Sequence, residues 1–330
     1  MSNRKEDHIS LALTNQTPVN QLDERFSYEP VLKGYDESSI PVLSIGGKSM
    51  FLPLWISSMT GGTKLAGTIN RNLATAAAEF GLGMGLGSCS ILLKNEKALP
   101  DFDLRGIIGN DRPFYANMGI AQVEQFLHKD DVKTIIDLVN LLKADGIVIH
   151  INPLQEMLQP EGDKIKYPPR ETLREFLKQF NGNVIVKEVG QGMGHESLRE
   201  LLKLPVTAIE FGGFGGTNFS RVEIMRSNNP VSRHFEPLAY VGHSPQEMIT
   251  AVNEFTEENS GANPPLLIIS GGVKNFLDGY YFINKSKAPA IYGMASALLE
   301  YALLDYDDLK NFISAQKQGL QMAYNYLKVK

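Results

Sequence analysis

The segment GIVIHINPLQEML, Gly146 to Leu158, turns from an apolar run into four polar groups, His150, Asn152, Gln155 and Glu156, with almost no spacer. Each type suits a polar ligand. A histidine exchanges a proton near neutral pH, and side-chain amides both donate and accept. One carboxylate, completed by substrate phosphates and water, is a usual magnesium arrangement. His150 and Asn152 lie two apart and so project to one side of an extended chain. Gln155 and Glu156 follow beyond Pro153, on the succeeding loop. A single histidine at a strand end is more often a satisfied core residue, but amides and a carboxylate beside it point to a polar pocket.

Two further sets of residues carry charge in unusual company. In NVIVKEV, 183–189, Lys187 alternates with Ile185 and Val189, so it faces the interior if they do. A buried ammonium is costly without a counter-charge. It either pairs with Glu188 or Glu210 or meets an anionic ligand, and a reduced flavin, negative near N1, fits. At the amino terminus, Arg4, Lys5 and His8 form a small cationic group, with Arg4 and His8 on one helical face. Such a cluster suits a diphosphate if the arm folds over a site, and otherwise it is a solvated terminus.

The elements that must position these groups are legible as eight short apolar runs at 51–57, 81–87, 112–118, 146–151, 183–189, 205–211, 265–270 and 289–294. The second is the weakest, being half glycine. Helical spacing lies between them, at 63–80, 121–143, 170–180, 195–203, 244–258, 274–284 and 296–304. Strands alternating with helices predict a parallel sheet, and eight such units predict an α/β fold closed as a (β/α)8 TIM barrel. A doubly wound sheet competes, but no Gly-x-Gly-x-x-Gly follows any strand; GMGLGS and GQGMGH both lack the third glycine. Residues 1–50 read as an N-terminal arm and cap and 51–330 as the barrel, one domain overall. A Gly- and Asn-rich insertion at 212–243 is long for a structureless connection and reads as a lid or binding loop. Residues 307–328 read as a last amphipathic helix.

In such a barrel the carboxyl ends of the strands form the site. Here they carry SSMTGG, GSCS, NMG, HINPLQE, KEVGQG, FGGFGGTN, SGG and GMAS, all polar or glycine-rich. The last two suit a phosphate, through close backbone approach and helix N-termini.

The totals narrow the class further. The chain has 330 residues, 43% hydrophobic and 21% charged, which suffices for a substantial core. A net charge of -5 argues against a nonspecific nucleic-acid binder. The single cysteine, Cys89, cannot form an intrachain disulfide and suits a reducing compartment. The charged start MSNRKEDHIS lacks a secretory apolar region, and no apolar run is long enough for a membrane helix. A cytoplasmic protein, with neither nucleic-acid nor membrane partner, is expected.

Taken in order, RKEDH at 4–8, SMTGG at 58–62, GLGS at 85–88, NMG at 117–119, HINPLQE at 150–156, KEVGQG at 187–192, GGTNF at 215–219 and SGGVK at 270–274 strongly resemble the type 2 isopentenyl diphosphate isomerases. The resemblance spans nearly the whole chain. It implies a flavin enzyme on a (β/α)8 barrel that interconverts isopentenyl and dimethylallyl diphosphate, using reduced FMN and Mg2+. It further implies NADPH as reductant of the flavin and a homo-oligomer, an octamer or tetramer. Carried over, Arg4, Lys5 and His8 would grip the diphosphate with His150 and Asn152. Gln155 would sit at the alkene, Glu156 would hold the metal, and Ser88 would serve both substrate and cofactor. Ser58, Met59, Thr60, Asn117, Lys187 and Thr217 would contact FMN, with its phosphate at Gly271, Gly272, Met294 and Ala295.

Three positions depart from the family pattern. Cys89 and Ser90 stand where glutamine and a diphosphate-binding arginine are usual, with Lys94 nearby as a substitute cation. Ser296 and Ala297 replace an arginine and a proline, and Gly212 replaces a serine or other small residue. Two other functions stay open on the residues. One is a flavin oxidoreductase of the hydroxy-acid oxidase or dihydroorotate dehydrogenase kind, which needs no diphosphate clamp. The other is a catalytically silent flavin or prenyl-diphosphate binding protein.

Overall fold

A computed structural model describes residues 4–330 except 260 and 262. The strands, in chain order, are β1 Phe26–Tyr28, β2 Leu43–Ile45, β3 Lys48–Met50, β4 Leu54–Ile56, β5 Gly83–Gly85 and β6 Phe114–Gly119. They continue as β7 Gly146–His150, β8 Asn183–Lys187, β9 Ala208–Glu210, β10 Leu266–Ile269, β11 Ala290–Met294 and β12 Leu327–Val329. Strands β4 to β11 close into a barrel, each parallel to its neighbours, with β11 returning to β4. These are the eight apolar runs of the sequence, in the expected order, although most strands are shorter than their runs.

The weak second run is a true strand for a steric reason. A Cβ at Gly83 would stand 2.5 Å from the Trp55 ring, so glycine makes room for the largest side chain of the interior. That interior is one apolar cluster built from Trp55, Tyr115, Val148, Ile185, Ala208, Ile268 and Ile291. A second and larger core fills the space between the strands and the surrounding helices.

Residues 1–50 are more than an arm and cap. The antiparallel hairpin β2–β3 sends Ile45 and Met50 into the interior cluster and so plugs the amino-terminal end of the barrel. Lys48 and Arg105 both pair with Asp145, at 2.5 and 2.9 Å, which fastens that plug. Strand β1 pairs antiparallel with β12, stitching the amino-terminal region to the end of the chain. The helix Tyr306–Tyr326 precedes β12, close to the expected last helix.

Two helical expectations change. The pattern at 121–143 splits into Ile120–His128 and Val132–Leu141, with Asp130 between them at a positive φ of 52°. The insertion 212–243 is not structureless: it contains the helix Phe219–Arg226 and a 3-10 run Pro230–Tyr240. Its apolar residues Ile224 and Ala239 bury against Leu158 as a small separate core. Low periodicity in so short a helix hid it, since its packing rather than its pattern holds it.

Candidate active site

Strand alternation builds the site directly. Two residues beyond the apolar ring of Trp55, Tyr115, Val148, Ile185, Ala208, Ile268 and Ile291 stand Ser57, Asn117, His150, Lys187, Glu210, Ser270 and Gly293. A two-residue period keeps each on the inward face of its strand. A polar ring therefore sits on an apolar floor at the carboxyl end of the barrel.

Two adjoining cavities open there. The larger, about 580 Å³, runs from Ser57, Ser58, Lys187 and Glu210 to the glycine loops at 212–216 and 271–272 and the turn at 293–297. The smaller, about 130 Å³, is bounded by Ser58, Met59, Ser88, Asn117, His150 and Gln155. Lys187, Ser58, Val189 and Phe219 line both, so Lys187 and Gln155 face one continuous mouth.

Lys187 answers the question its sequence raised with both readings at once. Its Nζ lies 3.3 Å from Glu210 Oε1, in a pair with Glu210 wholly buried, and it still faces the cavities. Glu188 is not the partner. Its Oε2 accepts from the backbone N–H groups of Gly190, Gln191 and Gly192 at 2.7, 2.7 and 2.8 Å.

His150 and Asn117 form an ordered relay. Asn117 Nδ2 donates to the Leu86 carbonyl at 2.8 Å, which leaves its Oδ1 to accept from His150 Nδ1 at 2.8 Å. This hydrogen-bond pattern assigns the proton to Nδ1 and leaves Nε2 as the unprotonated nitrogen. Burial and the neighbouring Lys187 charge depress the imidazole to about 4, so the ring is neutral near pH 7.

Gln155 is held from both sides. Its Oε1 accepts from Asn152 Nδ2 at 3.1 Å and its Nε2 donates to Glu223 Oε1 at 3.3 Å. Asn152 Nδ2 also reaches Glu156 Oε1 at 3.0 Å, while Asn152 Oδ1 is buried without a hydrogen-bond partner. Glu156 Oε2 accepts from the Asp163 N–H at 2.7 Å. Asn152 and Glu156 thus stand behind Gln155 and line neither cavity.

At the opposite end the loops interlock. Gly271 has φ of 106°, and a Cβ there would fall 2.1 Å from the Gly213 carbonyl oxygen, so only glycine fits. The helix Ser296–Leu304 begins beside these loops with no side chain capping its first turn, which leaves its N–H groups available to an anion.

Most of the expected contacts meet here. Ser58, Lys187, Thr217, Gly271, Gly272, Met294 and Ala295 line the larger cavity, and Met59, Ser88, Asn117, His150 and Gln155 line the smaller. Thr60 lines neither; its backbone packs under Gly87. Arg4, Lys5 and His8 are exposed on a helix, Arg4–Ala12, that buries no residue and lines neither cavity.

Sequence reading missed four participants: Ser57, Phe219 and Ser270 on the cavities, and Glu223 behind Gln155. Two of them, Ser57 and Ser270, were accessible by counting two residues on from the apolar ring. Gln191 was also unassigned. Its Nε2 donates to the Leu238 and Val241 carbonyls at 3.0 and 2.6 Å, and its Oε1 accepts from Ser220 at 2.5 Å, which ties the insertion down.

The departures acquire physical reasons. Gly212 has φ of 53°, and a Cβ there would meet the Glu188 carbonyl oxygen at 2.1 Å, so this backbone excludes serine. Cys89 is fully buried, donates to the Gly87 carbonyl, and has its thiol pushed up to about 12, far from a reactive thiolate. Ser90 pairs with Ser88 at 3.0 Å, whereas Lys94 is exposed and lines neither cavity.

A polar ring over a closed parallel barrel, with a glycine cradle at one end, makes this a (β/α)8 barrel protein with a candidate ligand site at the carboxyl ends of its strands. Among solved structures the fold is similar to a mandelate oxidase with a monooxide FMN adduct, TM-score 0.56 at 13% identity, over 93% of this chain and 88% of that one. It is also similar to a flavocytochrome b2 with pyruvate bound, TM-score 0.62 at 13% identity, over 97% and 85%. No family model matches the chain. Curated relatives settle the family. The isopentenyl-diphosphate delta-isomerase of Rickettsia felis is 34% identical over 304 residues, 91% of this chain and 85% of its own length. That of Picrophilus torridus is 32% identical over 343 residues, 100% and 90%. The chain belongs to the isopentenyl-diphosphate delta-isomerase family, in its type 2 barrel form, and is an enzyme of the isomerase class. No helix among the described residues is long and apolar enough to cross a membrane.

Proposed function

We propose that the protein interconverts isopentenyl and dimethylallyl diphosphate with reduced FMN in the larger cavity and the alkene in the smaller. One observation carries the reading: Lys187 stands at the junction of the two cavities, so a ring bound in one faces a small ligand bound in the other. The residues suit a flavin. Ser57 Oγ, Ser58 Oγ and Glu210 Oε2 are buried around the larger cavity without hydrogen-bond partners, as groups awaiting a polar ring would be. The glycine cradle and the uncapped helix end suit its phosphate.

Bound in its reduced form, the flavin would supply the proton that the terminal alkene carbon gains and accept the one lost from the allylic carbon on the other side of the double bond, with no net electron transfer. The chain does the rest. Lys187 would stabilise negative charge on the ring. Gln155, fixed between Asn152 and Glu223, would position the alkene, and His150 would hold its ring by donation to Asn117. Catalytic roles thus fall to Gln155 and His150 at the cavity, and Asn152, also expected to be catalytic, is a positioning residue through its hold on Gln155. Arg4, Lys5 and His8 would bind the diphosphate only after the amino-terminal helix moves to the mouth.

Glu156 would hold Mg2+ once its carboxylate turns from Asn152 Nδ2 and the Asp163 N–H towards the mouth. Among the described residues no group of three or more His, Cys, Asp or Glu is placed to hold a metal ion. An ion here would therefore take Glu156 together with diphosphate oxygens and water. NADPH as the reductant, a cytoplasmic location and an octamer or tetramer complete the reading. The test is an anaerobic absorption spectrum of the FMN-reduced protein before and after isopentenyl diphosphate is added. A change in the reduced-flavin bands without reoxidation is expected, whereas reoxidation to the yellow form on adding substrate would select an oxidoreductase instead.

A further inference from the structure

We propose that Glu210 is a positioning residue of this site: its carboxylate holds the Lys187 ammonium in the barrel mouth and limits the positive charge that Lys187 presents to the ligand. The inference rests on the flavin reading and deepens it.

The geometry is specific. Lys187 and Glu210 are register partners on β8 and β9, and both fall on the inward face at the same level. Glu210 has no exposed surface, its Oε1 lies 3.3 Å from Lys187 Nζ and 3.4 Å from Ser270 Oγ, and its Oε2 has no partner. A fully buried carboxylate is expensive and persists only where it is paired. Here half of its bonding capacity is unspent at the wall of the larger cavity.

Other charges do not take its place. Glu188 is committed to three backbone N–H groups, and His150, the β7 neighbour of Lys187, is neutral. Lys187 and Glu210 therefore act on the cavity as a dipole in place of a bare cation. A bare ammonium would favour the anionic reduced ring over the neutral oxidised ring more strongly than this dipole does.

The test compares wild type with Glu210→Gln, which keeps size and removes charge, and Glu210→Asp, which keeps charge and withdraws it by one methylene. First, in ligand-free protein, the Lys187 ammonium is titrated by NMR. It should lose its proton at lower pH in Glu210→Gln than in wild type, since its counter-charge is gone. Second, in the FMN-loaded proteins, the midpoint potential is measured anaerobically. It should move positive in Glu210→Gln, reflecting a reduced-over-oxidised affinity ratio raised on the order of tenfold, and less in Glu210→Asp. If Glu210→Gln does not fold, a smaller shift of the same sign in Glu210→Asp supports the proposal. Unchanged Lys187 titration and unchanged potential in the variants that fold overturn it. Failure of wild type to bind FMN would instead refute the flavin reading, and the ligand-free titration still decides whether Glu210 governs Lys187.

Discussion

His150 Nδ1 donates to Asn117 Oδ1 at 2.8 Å, and that single bond fixes which face of the imidazole the cavity receives. Because Asn117 is itself pinned to the Leu86 carbonyl, its amide cannot turn without losing one of the two bonds. The ring is thereby oriented from the strand beside it, in register at Gly119 and His150.

A pH dependence follows. The His150 imidazole is depressed from 6.5 to about 4, so the unfolded chain binds a proton that the native protein refuses. The associated stability is complete above pH 6.5 and is lost as pH falls from there towards 4. Denaturant midpoints measured across that window should fall in wild type and fall less in His150→Gln. An NMR titration that finds the native His150 ring protonating near 6.5 would contradict the assignment.

Lys187→Ala should yield a protein that binds FMN weakly and purifies without yellow colour. The substitution also leaves Glu210 buried and unpaired, which costs roughly 3–5 kcal/mol in comparable pairs. The double variant Lys187→Ala with Glu210→Gln should regain most of that stability while staying colourless. Full flavin occupancy in either variant would remove Lys187 from the cofactor site.

Glu156→Gln should raise the magnesium concentration needed for half-maximal turnover and leave FMN affinity unchanged. The amide keeps an acceptor for Asp163 N–H but turns its NH2 towards the Asn152 donor, so a loss of stability of about 1–3 kcal/mol is expected. Superimposable metal titrations of the two proteins would dismiss Glu156 as the anchor.

Gly271→Ala should weaken FMN far more than riboflavin. The new methyl meets the Gly213 carbonyl oxygen and forces the cradle apart at a backbone conformation that disfavours a side chain. Equal weakening of both ligands, measured by fluorescence quenching, would place the phosphate elsewhere.

The barrel, its strand order and most of the cavity lining were legible because parallel strands buried on both faces write themselves as apolar runs. The rest was hidden for local reasons. β2–β3 is a short hairpin whose plug role depends on where Ile45 and Met50 land, which no local pattern records. The helix Phe219–Arg226 lacks an apolar stripe, so it read as loop. Lys187 was readable as inward, and Glu210 was one of its two candidate partners. Only three-dimensional register showed that Glu188 spends itself on the backbone of its own loop.

The decisive experiment measures product and reductant together. FMN-reduced protein is given Mg2+ and isopentenyl diphosphate without oxygen, and dimethylallyl diphosphate is quantified beside the remaining reduced flavin. Many turnovers with the reduced flavin undiminished are predicted. Product formed only in proportion to flavin consumed, or none from a fully loaded enzyme, would contradict the assignment of a redox-neutral double-bond shift to this barrel mouth.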